Sequence, residues 1–282
     1  MANVAFIGTG LLGSAMVEGM VKRGDSVTVW NRTESKARAL EASGAKVAAS
    51  PADAVEYADR VHMTLPDDSV VNDIGEKIAS RLRRDATVID HSTTSPPGAK
   101  ARVARAHKAG IKFLHAPVFM SPQMARDSVG LMLVSGPEAV FDEVRSDLAK
   151  MTGEVWYLGE DGDRAAAYKL FGNSMLFVIV AGVADVFAMA KELGIPPAEA
   201  LAVFSKFQPG GAIKARGEKM ARGDFSASFE LTMARKDMRL MIESAGKRPL
   251  TVLPGIAARM DEAIAKGHGR DDLGAIAAEV VR

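Results

Sequence analysis

Up to Gly162 the hydrophobic positions fall in short runs separated by longer amphipathic stretches. The runs at 4–8, 26–30, 60–65, 86–90, 111–117 and 131–136 are rich in β-branched residues and end at turn formers, which predicts strands. Between them, 11–23, 34–43, 70–82 and 97–109 space their apolar residues by three and four, which predicts helices. Such alternation implies an α/β Rossmann domain with a doubly wound parallel sheet.

After Gly162 the period changes. The stretch 164–193 reads as a single helix, apolar over most of its circumference and closed by Gly194 and Pro196-Pro197. At about 1.5 Å per residue it runs roughly 45 Å, long enough to leave one domain and form the spine of another. A helix apolar nearly all round must be covered by other protein. Only helical patterns follow, at 198–206, 212–221, 229–245, 250–266 and 272–281. The expected organisation is therefore a nucleotide-binding Rossmann domain over 1–162 and an all-α domain over 163–282. The second would carry substrate contacts and a subunit interface. Its apolar helix is too broad for so small a domain to cover, which predicts a homodimer or a tetramer.

Composition narrows the chemistry. The chain has 282 residues, 48% hydrophobic and 25% charged, as one large or two ordinary globular domains require. A formal net charge of +1 gives no field to attract nucleic acid or an anionic membrane. The absence of cysteine excludes disulfides, thiolate nucleophiles and cysteine-bound metals. No His, Asp or Glu group shows ligand spacing, so no metal is expected. The opening MANVAFIGTG lacks the pattern of a secretory leader, and no apolar run is expected to reach membrane-spanning length. A cytoplasmic soluble protein is the expectation.

Gly8-Thr9-Gly10-Leu11-Leu12-Gly13 is a GxGxxG motif that follows a predicted strand and opens a predicted helix. Gly8 permits the tight turn, Gly10 lets backbone approach a pyrophosphate, and Gly13 lets helix and strand pack closely. The free N–H groups of the helix start, from Leu11 and Leu12 onward, then face an anion. The second strand ends at Asn31-Arg32-Thr33, where enzymes that prefer NAD carry an acid on the ribose 2′-hydroxyl. A neutral Asn31, an Arg32 guanidinium and a Thr33 hydroxyl suit a 2′-phosphate instead, so the cofactor expected is NADP(H). Arg32 also reads as an ordinary solvated loop arginine. Leu65-Pro66-Asp67 and the turn 90–95, which contains Thr93, read either as further cleft walls or as plain turns.

Lys169 and Asn173 are four apart on the long helix and share a face among Leu170, Phe171, Met175, Leu176 and Phe177. Desolvation lowers a lysine pKa, which suits a general acid, and the ammonium would also stabilise a developing alkoxide. Asn173 could orient the amine or bind a small-molecule substrate.

At these residues the chain resembles the β-hydroxyacid dehydrogenases, within them the glyoxylate and succinic semialdehyde reductases and the 3-hydroxyisobutyrate dehydrogenases. The resemblance covers nearly the whole chain. It rests on FIGTGLLGSAM (6–16), VTVWNRT with Lys36, the LPDD turn, VIDHSTTSP (88–96), HAPV (115–118), YKLFGNSM (168–175) and ARKDMRL (234–240). It implies that Thr93 lies where nicotinamide meets substrate, that Lys169 is the catalytic lysine with Asn173 its helical neighbour, and that Lys236 closes over the cofactor. The family usually follows its alanine–proline–valine strand end with serine–glycine–glycine, which holds the substrate carboxylate. Here Phe119-Met120-Ser121 stand there, and Gly172 replaces a frequent second asparagine. These departures predict a carbonyl substrate that is larger or less acidic than a short hydroxyacid, with Phe229, Phe207 and Met233 as further apolar wall. An imine reductase or reductive aminase is the alternative enzyme, and a non-catalytic NADP-binding scaffold the alternative outside catalysis. Both predict loss of the lysine, and Lys169 is present.

Overall fold

The computed structural model describes residues 2–281, so Met1 and Arg282, the outer ends of the two expected domains, lie outside the described residues. Six parallel strands make the main sheet: β1 (Asn3–Ile7), β2 (Ser26–Trp30), β3 (Lys46–Val47), β4 (Arg60–Met63), β5 (Thr87–Asp90) and β6 (Lys112–His115), in the order β3-β2-β1-β4-β5-β6. That is the Rossmann order, reversed in direction on either side of β1. Helices α1 (Leu11–Lys22), α2 (Glu34–Arg38), α3 (Pro51–Val55), α4 (Asp68–Ala79) and α5 (Pro96–Lys108) are the crossovers. The central strands are buried on both faces, as doubly wound sheets require: Phe6, Ile7, Met63, Ile89 and Leu114 are almost wholly inaccessible.

The remaining strands depart from the expectation. The run at 111–117 does not continue as one strand. It stops at His115, and Pro117, which has no N–H to give a ladder, intervenes before the short β7 (Val118–Phe119). The run at 131–136 becomes β8 (Gly130–Val134) in a separate three-stranded sheet. There β7 is antiparallel to β8, and β9 (Gly153–Tyr157) is parallel to it. The short α6 (Pro122–Arg126) and the long α7 (Glu138–Thr152) link these strands. The mixed sheet was not foreseen; it returns the chain from β6 to the long helix α8 (Arg164–Glu192).

Two compact units divide inside α8, one ending at Asn173 and the other beginning at Ser174. The second contains α9 (Pro197–Leu201), α10 (Gly211–Ala221), α11 (Leu231–Ser244) and α12 (Leu253–Ala265). Its core joins Leu231, Ala234 and Met238 of α11 to Ala257, Met260 and Ala263 of α12. Asp185 of α8 is buried and accepts hydrogen bonds from the backbone N–H groups of Thr251, Val252 and Leu253. A carboxylate thereby serves the N-terminus of α12. The expected helices at 198–206 and 272–281 are corrected: the first breaks into α9 and a 3-10 turn (Ala202–Ser205), and the second is only a 3-10 turn (Leu273–Ala277). Asp272 explains the latter, since its side chain accepts from Gly274 N, Ser228 N and Phe229 N and so holds the chain in a loop.

One expectation about α8 is overturned. By length and composition it is apolar enough to cross a membrane. No charged residue stands between Lys169 and Asp185, and that gap makes the run. Much of this surface is exposed, with Phe177 66% and Val180 62% accessible.

Candidate active site

The β1–α1 turn begins the site. Gly8 N donates to Trp30 O at 2.9 Å, and Thr64 Oγ1 donates to Gly8 O at 2.6 Å. Gly8 has φ +93°, and a Cβ there would press on the Thr64 carbonyl. A Cβ on Gly13 would press on Gly8 O and lie 2.5 Å from Thr64 Oγ1. Gly10 differs: a Cβ there would meet nothing, so its backbone lies open to whatever occupies the cleft. Helix α1 has no side-chain cap and no acidic residue in its first turn, which leaves its first N–H groups and its dipole for an anion.

Asn31 is shared between turn and cleft. Its Oδ1 accepts from Thr9 N at 3.1 Å, and its Nδ2 donates to Thr33 O at 2.9 Å. The second bond needs an amide; an aspartate would place two acceptors face to face. A cleft of about 720 Å³ opens beside these groups. It is lined by Gly8, Gly10, Leu11, Leu12, Gly13, Asn31, Arg32, Thr33, Leu65, Pro66 and Thr93. All the residues expected of the first unit for the nucleotide thus lie on one cavity. Arg32 and Lys36 have no ion-pair partner among the described residues. An anion with ribose and ring appendages fits this donor set.

The cleft also takes His91 and Ser92 of the 90–95 turn in its lining, together with Trp30, Thr64, Val70, Asp73, Ile74 and Lys77, which the sequence reading did not single out. Val70, Asp73, Ile74 and Lys77 recur at helical spacing on α4, so their shared face was recoverable once α4 was set beside the Pro66 turn. Asp73 and Lys77 pair with each other at 2.7 Å.

Lys169 belongs to a second cluster of the same unit. Its Nζ stands over the Phe119 ring, 4.1 Å from the centroid. It is half-buried, has no hydrogen-bond or ion-pair partner among the described residues, and burial draws its pKa below the usual amine value. Met120 packs against the core, and Ser121 Oγ caps α6 by accepting from Met124 N at 3.2 Å. Asn173 is half-buried, one helical turn beyond Lys169. Phe229 and Lys236 lie in the second unit; Lys236 is about half-exposed and pairs with Asp237 at 2.8 Å.

Buried His91 joins the two clusters. Its Nδ1 meets Ala116 O at 2.7 Å, and its Nε2 meets His62 Nδ1 at 2.9 Å. The carbonyl can only accept, so Nδ1 of His91 carries the proton and its Nε2 accepts from His62. The loop bearing Thr93 is thereby tied to the segment leading into Phe119. Ser135 anchors the other side, with its Oγ donating to Gly162 O and accepting from Ala165 N in the first turn of α8.

Residues 3–159 match the family described as the NAD binding domain of 6-phosphogluconate dehydrogenase, and residues 164–280 the NAD-binding family of NADP-dependent 3-hydroxyisobutyrate dehydrogenase. Fold and cleft together define an NAD(P)-dependent oxidoreductase. Glyoxylate/succinic semialdehyde reductase 2, chloroplastic, of Arabidopsis thaliana is 29% identical over 96% of this chain and 76% of its own. The 3-sulfolactaldehyde reductase of Escherichia coli K12 is 29% identical over 99% and 96%. The chain spans 40% of the length of another relative, the cytokine-like nuclear factor N-PAC of Drosophila melanogaster. In fold it superposes on an imine reductase of Myxococcus stipitatus in complex with NADP+, with TM-score 0.90 at 23% identity over 97% of this chain and 98% of that one. The chain belongs to the β-hydroxyacid dehydrogenase family.

Proposed function

We propose that the protein is an NADPH-dependent reductase of a carbonyl group, with Lys169 as the general acid and, in the reverse direction, the general base. The observation that carries this reading is the half-buried Lys169 ammonium, which has no ion-pair partner among the described residues and a pKa lowered by burial. NADPH, when bound, supplies the hydride. The chain's own residues do the rest. The backbone N–H groups at Leu11, Leu12 and Gly13 hold the pyrophosphate, and Leu65, Pro66 and Thr93 wall the cleft beyond it. Arg32 and Thr33 take the 2′-phosphate with Lys36 beside them. Lys169 Nζ gives its proton to the carbonyl oxygen as negative charge grows there, and burial, which lowers the amine's pKa, makes it a readier donor. Asn173 orients substrate on the same helix face.

Phe119 and Met120 give the substrate apolar contacts where a carboxylate would need donors, with Ser121 beside them. The substrate class is therefore a carbonyl compound without a carboxylate beside the reacting carbon. The imine-reducing alternative draws on the same aromatic wall. Both are decided by NADPH consumption in wild type and Lys169→Ala, against aldehydes, keto acids, bulky ketones and cyclic imines, with NADH in parallel. A carbonyl turnover that falls by about 10²–10⁴-fold in the variant is expected; imine turnover indifferent to Lys169 would replace this reading by the alternative.

The exposed apolar face of α8 is assigned to a second copy of the chain. An isologous homodimer, which a tetramer would double, covers such a face with its own equal. Asp185, bonded to backbone of the second unit, marks that part of α8 as protein interior rather than lipid-facing. Sedimentation as a monomer at micromolar concentration would refute the assignment. Cytoplasmic residence is part of the same proposal, checked by fractionating cells of the source.

A further inference from the structure

The two departures from the family pattern, Phe119 and Gly172, meet in one place. Gly172 lies three residues beyond Lys169 on α8, and a Cβ built on it would come 2.7 Å from Phe119 Cε1 and closer still to Cζ. The ring therefore fills the space that a side chain at 172 would need. With its edge seated there, its face lies under Lys169 Nζ. Neither partner is loose. Phe119 is paired with Leu131 across β7 and β8, while Ser135, the residue after β8, bonds to Gly162 O and Ala165 N where α8 begins. The strand that carries the ring and the helix that carries the amine are fixed to the same element.

An ammonium removed from water with neither carboxylate nor carbonyl beside it is costly, and an aromatic face offsets part of that cost through the ring quadrupole. The ring also confines the amine to one side of the helix. We propose that Phe119 and Gly172 form one positioning unit: the ring holds the Lys169 ammonium over its face, and the missing side chain at 172 makes room for the ring. Their effect on catalysis rests on the reading of Lys169 as proton donor; their effect on the amine does not.

The direction of that effect is fixed. An aromatic face favours the charged amine and so raises its proton affinity, opposing the effect of burial. Losing the ring while keeping the apolar bulk lets burial act alone. The experiment is the pH dependence of Lys169 acetylation by acetic anhydride, read by peptide mass spectrometry, which needs neither substrate nor cofactor. Phe119→Leu is expected to move the Lys169 titration toward acid by roughly one pH unit. Phe119→Tyr retains the ring face and should titrate with wild type. Gly172→Ala displaces the ring and should shift the amine in the same direction as Phe119→Leu. The double variant should shift no further than Phe119→Leu alone, because both changes break one contact. A Phe119→Leu titration that coincides with wild type, or a double variant whose shift is the sum of the two, overturns the proposal. Should Phe119→Leu fail to fold, an unmoved titration in Gly172→Ala overturns it equally. Undiminished turnover in Lys169→Ala would instead remove the proton-donor role and leave the positioning unit standing.

Discussion

The β1–α1 turn presents its ligand with backbone, whereas the corner at β7 is made of two side chains and the absence of a third. At the turn, Gly8 and Gly13 are locked against Thr64 and against each other, so the N–H groups of α1 are held by covalent geometry and close packing. At the corner, Lys169 is held by a ring from another strand and by a glycine that merely leaves room. A backbone site can be built from a few adjacent residues and tolerates little change. A side-chain site draws on residues distant in the chain and can be retuned one residue at a time.

The comparison breaks most visibly at the glycines. Gly13→Ala places a Cβ against the Gly8 carbonyl and Thr64 Oγ1, both fixed by hydrogen bonds, so the helix must move away from the strand. A loss of roughly 3 kcal/mol in urea unfolding is expected, with NADPH binding lost alongside. Gly172→Ala meets only a ring edge and should cost less stability while altering Lys169. Equal stability losses for the two variants would erase the distinction between the sites.

The joint between the sites yields the next effect. Both imidazoles of the His62–His91 pair are neutral, since burial lowers each, His91 to about 4 and His62 well below the usual 6.5. An unfolded chain therefore binds more protons than the folded one between pH 6.5 and about 4. Stability is full above 6.5 and falls as acid is added through that window, by about 3 kcal/mol for His91. Asp90 adds to the slope only at the acid end: burial pushes its carboxyl up, but His115 and Ser92 outweigh burial and hold it below 3.8, so the stability it contributes is lost as the unfolded carboxyl takes up protons. Urea midpoints across this range check the slope, and a flat profile that His91→Gln leaves unchanged would remove His91 from the joint.

The same contrast explains what could be read from the chain. GxGxxG, Asn31-Arg32-Thr33 and the Pro66 turn are local, and all lie on one cleft. The strand order follows from the alternation that named the strands. By contrast, Phe119 and Gly172 were visible only as oddities, because nothing in the 52 residues between them says that one fits the other. His91 was visible only as part of the 90–95 turn; its pairing with His62, 29 residues earlier, has no local pattern. Helix α7 is different. Phe141, Val144, Leu148 and Met151 have helical spacing, so that element was readable from the chain. The two-residue strands β3 and β7 are too short for any period to show. In the second unit, the loop at 272–281 looked helical because the apolar spacing is right; the Asp272 carboxylate, which captures three backbone N–H groups, decides otherwise.

The smallest expected effect sharpens the comparison at the edge of the backbone site, where it passes into side chains. Arg32 lines the cleft beside Lys36, and neither is neutralised by a carboxylate among the described residues. A guanidinium there distinguishes the cofactors by one phosphate and nothing else, so its removal should act on NADPH alone. Arg32→Ala should weaken NADPH by about 10–100-fold, the range of a charge-assisted hydrogen bond, and leave NADH within about twofold. Lys36 limits the loss, since its ammonium shares the anion at longer reach and binds it as a point charge rather than a fork. Rising salt should narrow the gap between wild type and variant, because the interaction lies at an exposed rim. Fluorescence titrations with both nucleotides test this. Equal losses for NADPH and NADH would mean that Arg32 shapes the turn rather than reading the phosphate, and that the preference lies in the Asn31 amide, which holds Thr9 and Thr33 together.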